Sequence, residues 1–388
     1  MDSQIPPEDA HREPRRSKLR ERHQRRKQKQ AGQRFSLPGG RPQLSPSGGF
    51  KLPKLPLQWS PIRTILTGIA AIAFVVAIIF GLGIFKNAPP ELQPNAIWLG
   101  TEWTYEPRDL ADVALLAQRL RENEIGTVYA WVSWLQSDNT WRGAENFDAV
   151  RNFVSQFNTA YPEARLYAWL GLPVNLGEDN YRLDDEEFQQ RVATFSQTVV
   201  HDFGFDGVFL NVEPVWDGDT NFLDLLRVVR TSVGETASIS VAIPPDWSPL
   251  GVDIPVPPLI EPGTVWQREY KQRVALLTDE MAVMAYNSGL SSPDDYVKWM
   301  AYQVESFASA VAELDASTNL VIGIPTYDAE PPAHDPAVEN VTSAVDGIRT
   351  GLLQAGDAAD FVRGVAIFAE WETDTTEWAQ FNAEWVAK

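Results

Sequence analysis

Phe205-Asp206-Gly207-Val208-Phe209-Leu210-Asn211-Val212-Glu213-Pro214 is a short apolar run with a two-residue alternation, opened by Asp-Gly and closed by proline. Period two places Phe209, Asn211 and Glu213 on one face and Val208, Leu210 and Val212 on the other, as in a β-strand. Comparable runs recur along the chain, at Ala96–Trp103, Thr127–Val132, Arg165–Leu170, Ser238–Ile243, Met281–Asn287, Leu320–Pro325 and Gly364–Trp371. With 206–213 they make eight, and their starts lie 31 to 44 residues apart, room for a strand, a helix and two loops each time. Between them, Leu110-Val113-Leu116-Ala117-Leu120, Val150-Phe153-Val154-Phe157 and Phe222-Leu225-Leu226-Val229 repeat at helical spacing. Eight βα units in one body predict an α/β fold, a (β/α)8 TIM barrel over residues 96–388. An open doubly wound sheet is the alternative, but its Gly-rich phosphate turn is missing where the first strand ends in Gly100-Thr101-Glu102-Trp103.

The charge is unevenly spread over the 388 residues. Residues 1–63 hold 15 Lys+Arg against 5 Asp+Glu, a net of +10, while residues 64–388 hold 18 against 47, a net of -29. The Arg-, Gln- and Pro-rich segment 1–63 has almost no apolar periodicity and is predicted to be a disordered tail. Its basic run from Arg12 to Lys29 fits nucleic acid or a topology signal, whereas the acidic body offers nucleic acid no surface. Thr64 to Phe85 is 22 residues without a charge, long enough for a single transmembrane helix and too long, too far from the start, for a cleaved signal peptide. Residues 86–95 read as a stalk. Basic excess before the span places the N-terminus in the cytoplasm and the barrel outside it, at the cell membrane. With no cysteine and only His201 and His334 in the body, thiolate chemistry is excluded and no metal site or cofactor is expected.

Chemistry in such a barrel sits at the C-terminal strand ends, and here these are rich in indoles, acids and amides. Trp103, Trp131, Trp134, Trp169, Trp216, Trp247 and Trp371 fall there, with Glu102, Glu213, Tyr286, Asn287, Tyr327, Asp328 and Glu370. Pyranose faces stack on indoles while hydroxyls seek amides and carboxylates, so a sugar cleft is the expected use. Trp98 is expected to fill the barrel instead. The Pro-rich insertion Pro244 to Pro262 is expected to form a loop at the mouth. Glu213 among apolar neighbours suits a general acid, and Asn211 on the same face needs a partner that the strand does not supply.

These motifs resemble clan-K glycoside hydrolases. The family 18 chitinases carry Asp-Gly-x-Asp-x-Asp-x-Glu on strand four, matched here at Asp206, Gly207 and Glu213 but with Phe209 and Asn211 at the two inner acids. The family 85 endo-β-N-acetylglucosaminidases look like Asp-Gly-x-x-x-Asn-x-Glu, matched in full. Met284-Ala285-Tyr286-Asn287 is similar to the strand-six Met-x-Tyr-Asp, again with Asn. Gly323-Ile324-Pro325-Thr326-Tyr327 is similar to the strand-seven Gly-x-Pro-x-Tyr, and Trp371 falls where family 18 has its floor tryptophan. Predicted strands one to three match in architecture only.

The resemblance implies substrate-assisted retaining hydrolysis of an N-acetylhexosamine-containing glycan, without metal. Glu213 would be the acid, Asn211 the holder of the acetamido group, Tyr286 and Asn287 its neighbours, and Trp371 the floor. Tyr327, Trp131, Trp169, Trp216 and Glu102 complete the expected substrate-binding set. Two other readings stay open: a two-carboxylate glycosidase using Asp328 or Glu370 as nucleophile, and an inactive barrel that binds glycan or a cell-wall partner.

The +10 tail, the apolar span and the -29 body generate one test of topology. Protease added to intact cells should digest the chain beyond Phe85 and spare a tag fused before Met1. The reverse pattern would overturn the orientation.

Overall fold

The computed structural model describes residues 92–388 apart from 178–179, 249–253, 315–316 and 329–333. The tail 1–63, the span 64–85 and the stalk as far as residue 91 lie outside the described residues. Among the described residues no helix is long and apolar enough to cross a membrane.

Eight parallel strands pair in chain order and close on themselves. They are β1 (Asn95–Leu99), β2 (Ile125–Trp134), β3 (Arg165–Pro173), β4 (Gly207–Glu213), β5 (Ser238–Ile243), β6 (Glu280–Val283), β7 (Asn319–Pro325) and β8 (Val362–Phe368). A helix follows each: α1 (Leu110–Glu122), α2 (Phe147–Ala160), α3 (Glu186–His201), α4 (Thr220–Val233), α5 (Arg268–Ala275), α6 (Pro293–Ala312), α7 (Val341–Ala355) and α8 (Thr375–Phe381). The expected (β/α)8 barrel is therefore the observed one. Asp109, Asp185, Asp219, Asn340 and Asp374 cap α1, α3, α4, α7 and α8 by accepting from first-turn N–H groups.

The alternation along each strand sorts the apolar residues into two cores. Val208, Leu210 and Val212 face outward to meet helix residues such as Phe188 and Leu226. The inward set is Ala96 and Trp98, Tyr129, Tyr167, Phe209, Ala242, Ala282, Val321 and Ala366. Rings come from β1 to β4 and small groups from β5 to β8, so the aromatic half reaches across the axis into space the alanines leave. Tyr129 stacks on Phe209 with centroids 4.1 Å apart, and Trp98 meets Phe209 edge-on at 5.6 Å. Trp98 fills the barrel as expected, only 2% exposed.

The base of the barrel is polar. The Glu280 carboxylate accepts from the Tyr129 hydroxyl at 2.6 Å and from Ser240 Oγ at 2.8 Å, and pairs with Arg363 at 2.6 Å. Arg363 also donates to Thr127 Oγ1 at 2.9 Å and to the Pro94 carbonyl at 3.1 Å. Closure between β1 and β8 rests on two aligned pairs, Ala96 with Ala366 and Ile97 with Ile367. Asn95 reinforces it: its Oδ1 accepts from the Val365 N–H at 3.2 Å and from Trp385 Nε1 at 2.8 Å.

Five strand ends differ from the sequence expectation: β2 and β3 run on to Trp134 and Pro173, while β1, β6 and β8 stop short. β1 stops at Leu99, because Glu102 Oε1 accepts from the Gly100 N–H at 3.1 Å and Thr101–Thr104 turns into a one-turn helix. Glu102 and Trp103 are thus helical, not on a strand. β6 stops at Val283 opposite Ile243, where its partner β5 also ends, and the N–H groups of Ala285 and Tyr286 fold back onto Val283 and Met284 carbonyls. Tyr286 and Asn287 therefore sit on a loop. Trp371 lies three residues past the end of β8. Leu110, counted in the apolar stripe of α1, is its first residue and is exposed.

Replacing Arg363 with methionine strands the Glu280 charge in the barrel base, so Arg363→Met should lower unfolding free energy by about 3–5 kcal/mol in urea. The double change Glu280→Leu/Arg363→Met should lose less than Arg363→Met alone, and an equal or greater loss would contradict this reading of the pair.

Candidate active site

β4 carries the site. Its inward row runs from Phe209, sealed in the aromatic core, through half-buried Asn211 to Glu213 at the mouth. The opening Asp206-Gly207 belongs to the opposite end of the barrel. There Asp206 Oδ2 accepts from the Leu166 N–H at 2.9 Å, and a Cβ on Gly207 would lie 2.2 Å from the Ser238 carbonyl oxygen. That half of the motif registers β4 between β3 and β5.

Glu213 is exposed as a residue, with the protein of the mouth gathered around its carboxyl. Desolvation pushes its carboxyl pKa above the ordinary value, and the Asn211 amide draws it partly back. A raised pKa keeps the carboxyl protonated to higher pH, as a proton donor requires. Asn211 Oδ1 is buried and has no hydrogen-bond partner among the described residues. An unmatched buried acceptor is costly, and on this row it adjoins the Glu213 carboxyl.

Tyr286 stands across the mouth. Burial, with smaller effects of Tyr327 and Glu213, pushes its phenol well above the usual range, so it remains a donor. Its ring stacks on Phe368 at 5.0 Å and meets Tyr327 edge-on at 6.2 Å. A Cβ on Gly323 would come within 2.9 Å of the Tyr286 ring, which accounts for the glycine of the strand-seven motif. The Tyr327 hydroxyl donates to Asn287 Oδ1.

The indoles form a wall. Trp169 stacks with Trp371, centroids 6.4 Å apart, and Trp131 meets Trp169 edge-on at 4.7 Å. Trp371 is 40% exposed, presenting ring surface at the mouth. Glu102 and Trp371 both crowd the position where Gly100 lacks a Cβ, so the acid braces this wall. On the far side of Trp131 a cavity of about 460 Å³ opens, lined also by Tyr105, Trp134, Arg142 and Glu145. Trp216 packs elsewhere: it covers Gly263 in the loop after β5. Trp247 donates its Nε1 to the Ile260 carbonyl within that same loop.

Glu370 has both carboxylate oxygens engaged, by Trp103 Nε1 at 2.8 Å and Arg119 Nη1 at 3.1 Å. It ties the β8 end to the β1 side. Asp328 is exposed. Among the described residues no group of three or more His, Asp or Glu side chains could hold a metal ion. Sequence reading missed Glu339, whose buried carboxylate accepts from the N–H groups of Asn287 and Ser288. The two segments are 52 residues apart, and nothing local in either announces the contact.

No family model matches the chain, and no curated protein matches it. Among solved structures it is similar to the spore cortex-lytic enzyme SleL of Bacillus cereus, at 12% identity and TM-score 0.49 over 74% of this chain and 73% of that one. A class V chitinase of Pseudomonas fluorescens shows 14% identity and TM-score 0.48 over 75% of this chain and 98% of that one. A group IV chitinase of Ostrinia furnacalis shows 12% identity and TM-score 0.48 over 75% and 97% respectively. No residue role follows from likenesses this distant.

The electrostatics of the β4 row can be measured directly. Carbon-detected NMR titration should find Glu213 titrating above ordinary glutamates, and Asn211→Ala should move it higher still, because the amide favours the ionised form. A downward shift in Asn211→Ala would reverse the assigned sign.

Proposed function

We propose that the barrel is a glycoside hydrolase that cleaves an N-acetylhexosamine-containing glycan by substrate-assisted retention, held outside the cytoplasm by the 64–85 span. The observation that carries the reading is the buried, unmatched Asn211 Oδ1 beside an acid whose pKa is raised. An acetamido N–H on the substrate is the donor this acceptor lacks. Held so, the acetamido carbonyl oxygen attacks the anomeric carbon and forms an oxazoline-type ring. The glycosidic C–O bond breaks, its electron pair goes to the leaving oxygen, and Glu213 supplies the proton to that oxygen. Glu213, now ionised, then takes a proton from a water that attacks the anomeric carbon from the face the leaving group vacated, and the ring C–O bond breaks back to the acetamido oxygen, giving net retention. Tyr286 donates near the acetamido group, and Trp371 offers a platform to the pyranose face.

A glycan-binding barrel without turnover is the second reading. It is favoured by Phe209, an apolar residue where the family 18 pattern places an acid, and by neutral Asn211. The Glu213 carboxyl distinguishes the two, since binding alone has no need of a transferable proton.

A hydrolysis screen of the full chain against chitooligosaccharides, peptidoglycan and unrelated glycans tests both readings. On the substrate found, Glu213→Gln should lose about 10²–10⁴-fold in rate with binding kept. A stable thiazoline analogue should inhibit, and Asn211→Ala should slow turnover far more than it weakens binding. Near-normal Glu213→Gln turnover, or efficient cleavage of a substrate lacking the 2-acetamido group, would sink the substrate-assisted mechanism.

A further inference from the structure

Behind the Tyr286-Asn287 loop lies a buried carboxylate. Glu339, in the segment leading into α7, has a side chain that is 0% exposed. Its Oε2 accepts from the Asn287 N–H at 2.7 Å, and its Oε1 accepts from the Ser288 N–H at 2.8 Å and from the Ser288 hydroxyl. Two consecutive N–H groups converging on one anion form a backbone nest, a shape that requires a left-handed residue. Asn287 has φ +56°, inside the region that L-residues other than asparagine and glycine avoid. Glu339 is itself fixed from behind: its N–H donates to the Asp335 carbonyl at 2.8 Å, and the next residue, Asn340, caps α7. His334 Nδ1 lies 3.4 Å from Glu339 Oε2, and the His334 ring packs 4.1 Å from that of Tyr327. Tyr327 in turn donates to Asn287 Oδ1.

We infer that Glu339 is a positioning residue: its carboxylate holds Asn287 in the left-handed conformation, so that Asn287 and Tyr327 form one rigid polar arm beside Tyr286. This role deepens the hydrolase reading above and rests on it. A carboxylate taken out of water is costly unless donors meet it, and the donors that meet this one are the N–H groups of Asn287 and Ser288 and the Ser288 hydroxyl. In Glu339→Gln the side chain keeps its size, but its NH2 replaces one of the two oxygens, so either the Asn287 or the Ser288 N–H loses its acceptor.

The test uses the full chain with Glu339→Gln, the shorter Glu339→Asp, Asn287→Ala and the double variant Glu339→Gln/Asn287→Ala. Hydrogen exchange in a peptide spanning 285–290 should accelerate about tenfold or more in Glu339→Gln, with the β4 and β7 peptides unchanged. On the substrate found by the screen, its kcat should fall by about 10²-fold while KM changes little, and Glu339→Asp should recover part of the loss. The double variant should be no slower than Asn287→Ala, because Glu339 acts through Asn287. Unchanged exchange in 285–290 overturns the clamp whatever the activity. Accelerated exchange with normal kcat, or single losses that multiply in the double variant, overturns the positioning role. A wild-type chain that hydrolyses no glycan overturns the hydrolase reading and the catalytic role with it, while exchange still decides separately whether the clamp exists.

Discussion

A closed ring of eight strands encloses a fixed volume, and everything above it depends on how that volume is filled. Here β1 to β4 send Trp98, Tyr129, Tyr167 and Phe209 across the axis, and β5 to β8 answer with Ala242, Ala282, Val321 and Ala366. The rings make a dry floor directly beneath Asn211. On the β4 row the unmet polar requirement falls on one acceptor, Asn211 Oδ1. Below the rings the barrel is polar again: Glu280 pairs with Arg363, and Tyr129, Ser240 and Thr127 bond to the pair.

The architecture was legible because it depends on periodicity, which each strand and helix carries within itself. The 209-211-213 row and the α1 stripe from Val113 to Leu120 are local patterns, and the barrel arranges them as the spacing implied. The lost details depend on neighbours. β6 ends at Val283 because β5 ends at Ile243, and β1 ends early because a glutamate two residues on captures the Gly100 N–H. Indole positions show the same division. Trp131, Trp169 and Trp371 gather at the mouth, whereas Trp216 finds the bare backbone of Gly263 and packs there. Glu339 was illegible for the most general reason: a buried carboxylate and the N–H groups it serves need have no relation in sequence.

The Asn211 amide and the Phe209 ring also change the electrostatics that an acid-rich row would have. With no second carboxylate beneath it, Glu213 experiences desolvation without like-charge repulsion, and its raised pKa follows from packing alone. A neutral acceptor holds an N–H without adding negative charge beside the acid. In the proposed mechanism the site would thereby orient an amide while its proton donor responds to one environment, that of the rim.

The seam of the barrel has a mechanical meaning. β1 joins β8 through two aligned pairs, while β3 and β4 are joined through seven. The strand at that seam is also the first of the fold, so any tension transmitted along the preceding chain arrives at Asn95 before any other strand residue. Asn95 is where the extra bonds are: to Val365, to Trp385, and beside the Arg363 contact with Pro94. Load is thus shared between β8 and the C-terminal segment at the point where it enters. Under force applied through its N-terminal side, the barrel would yield by peeling β1 from β8, and these few bonds set the threshold.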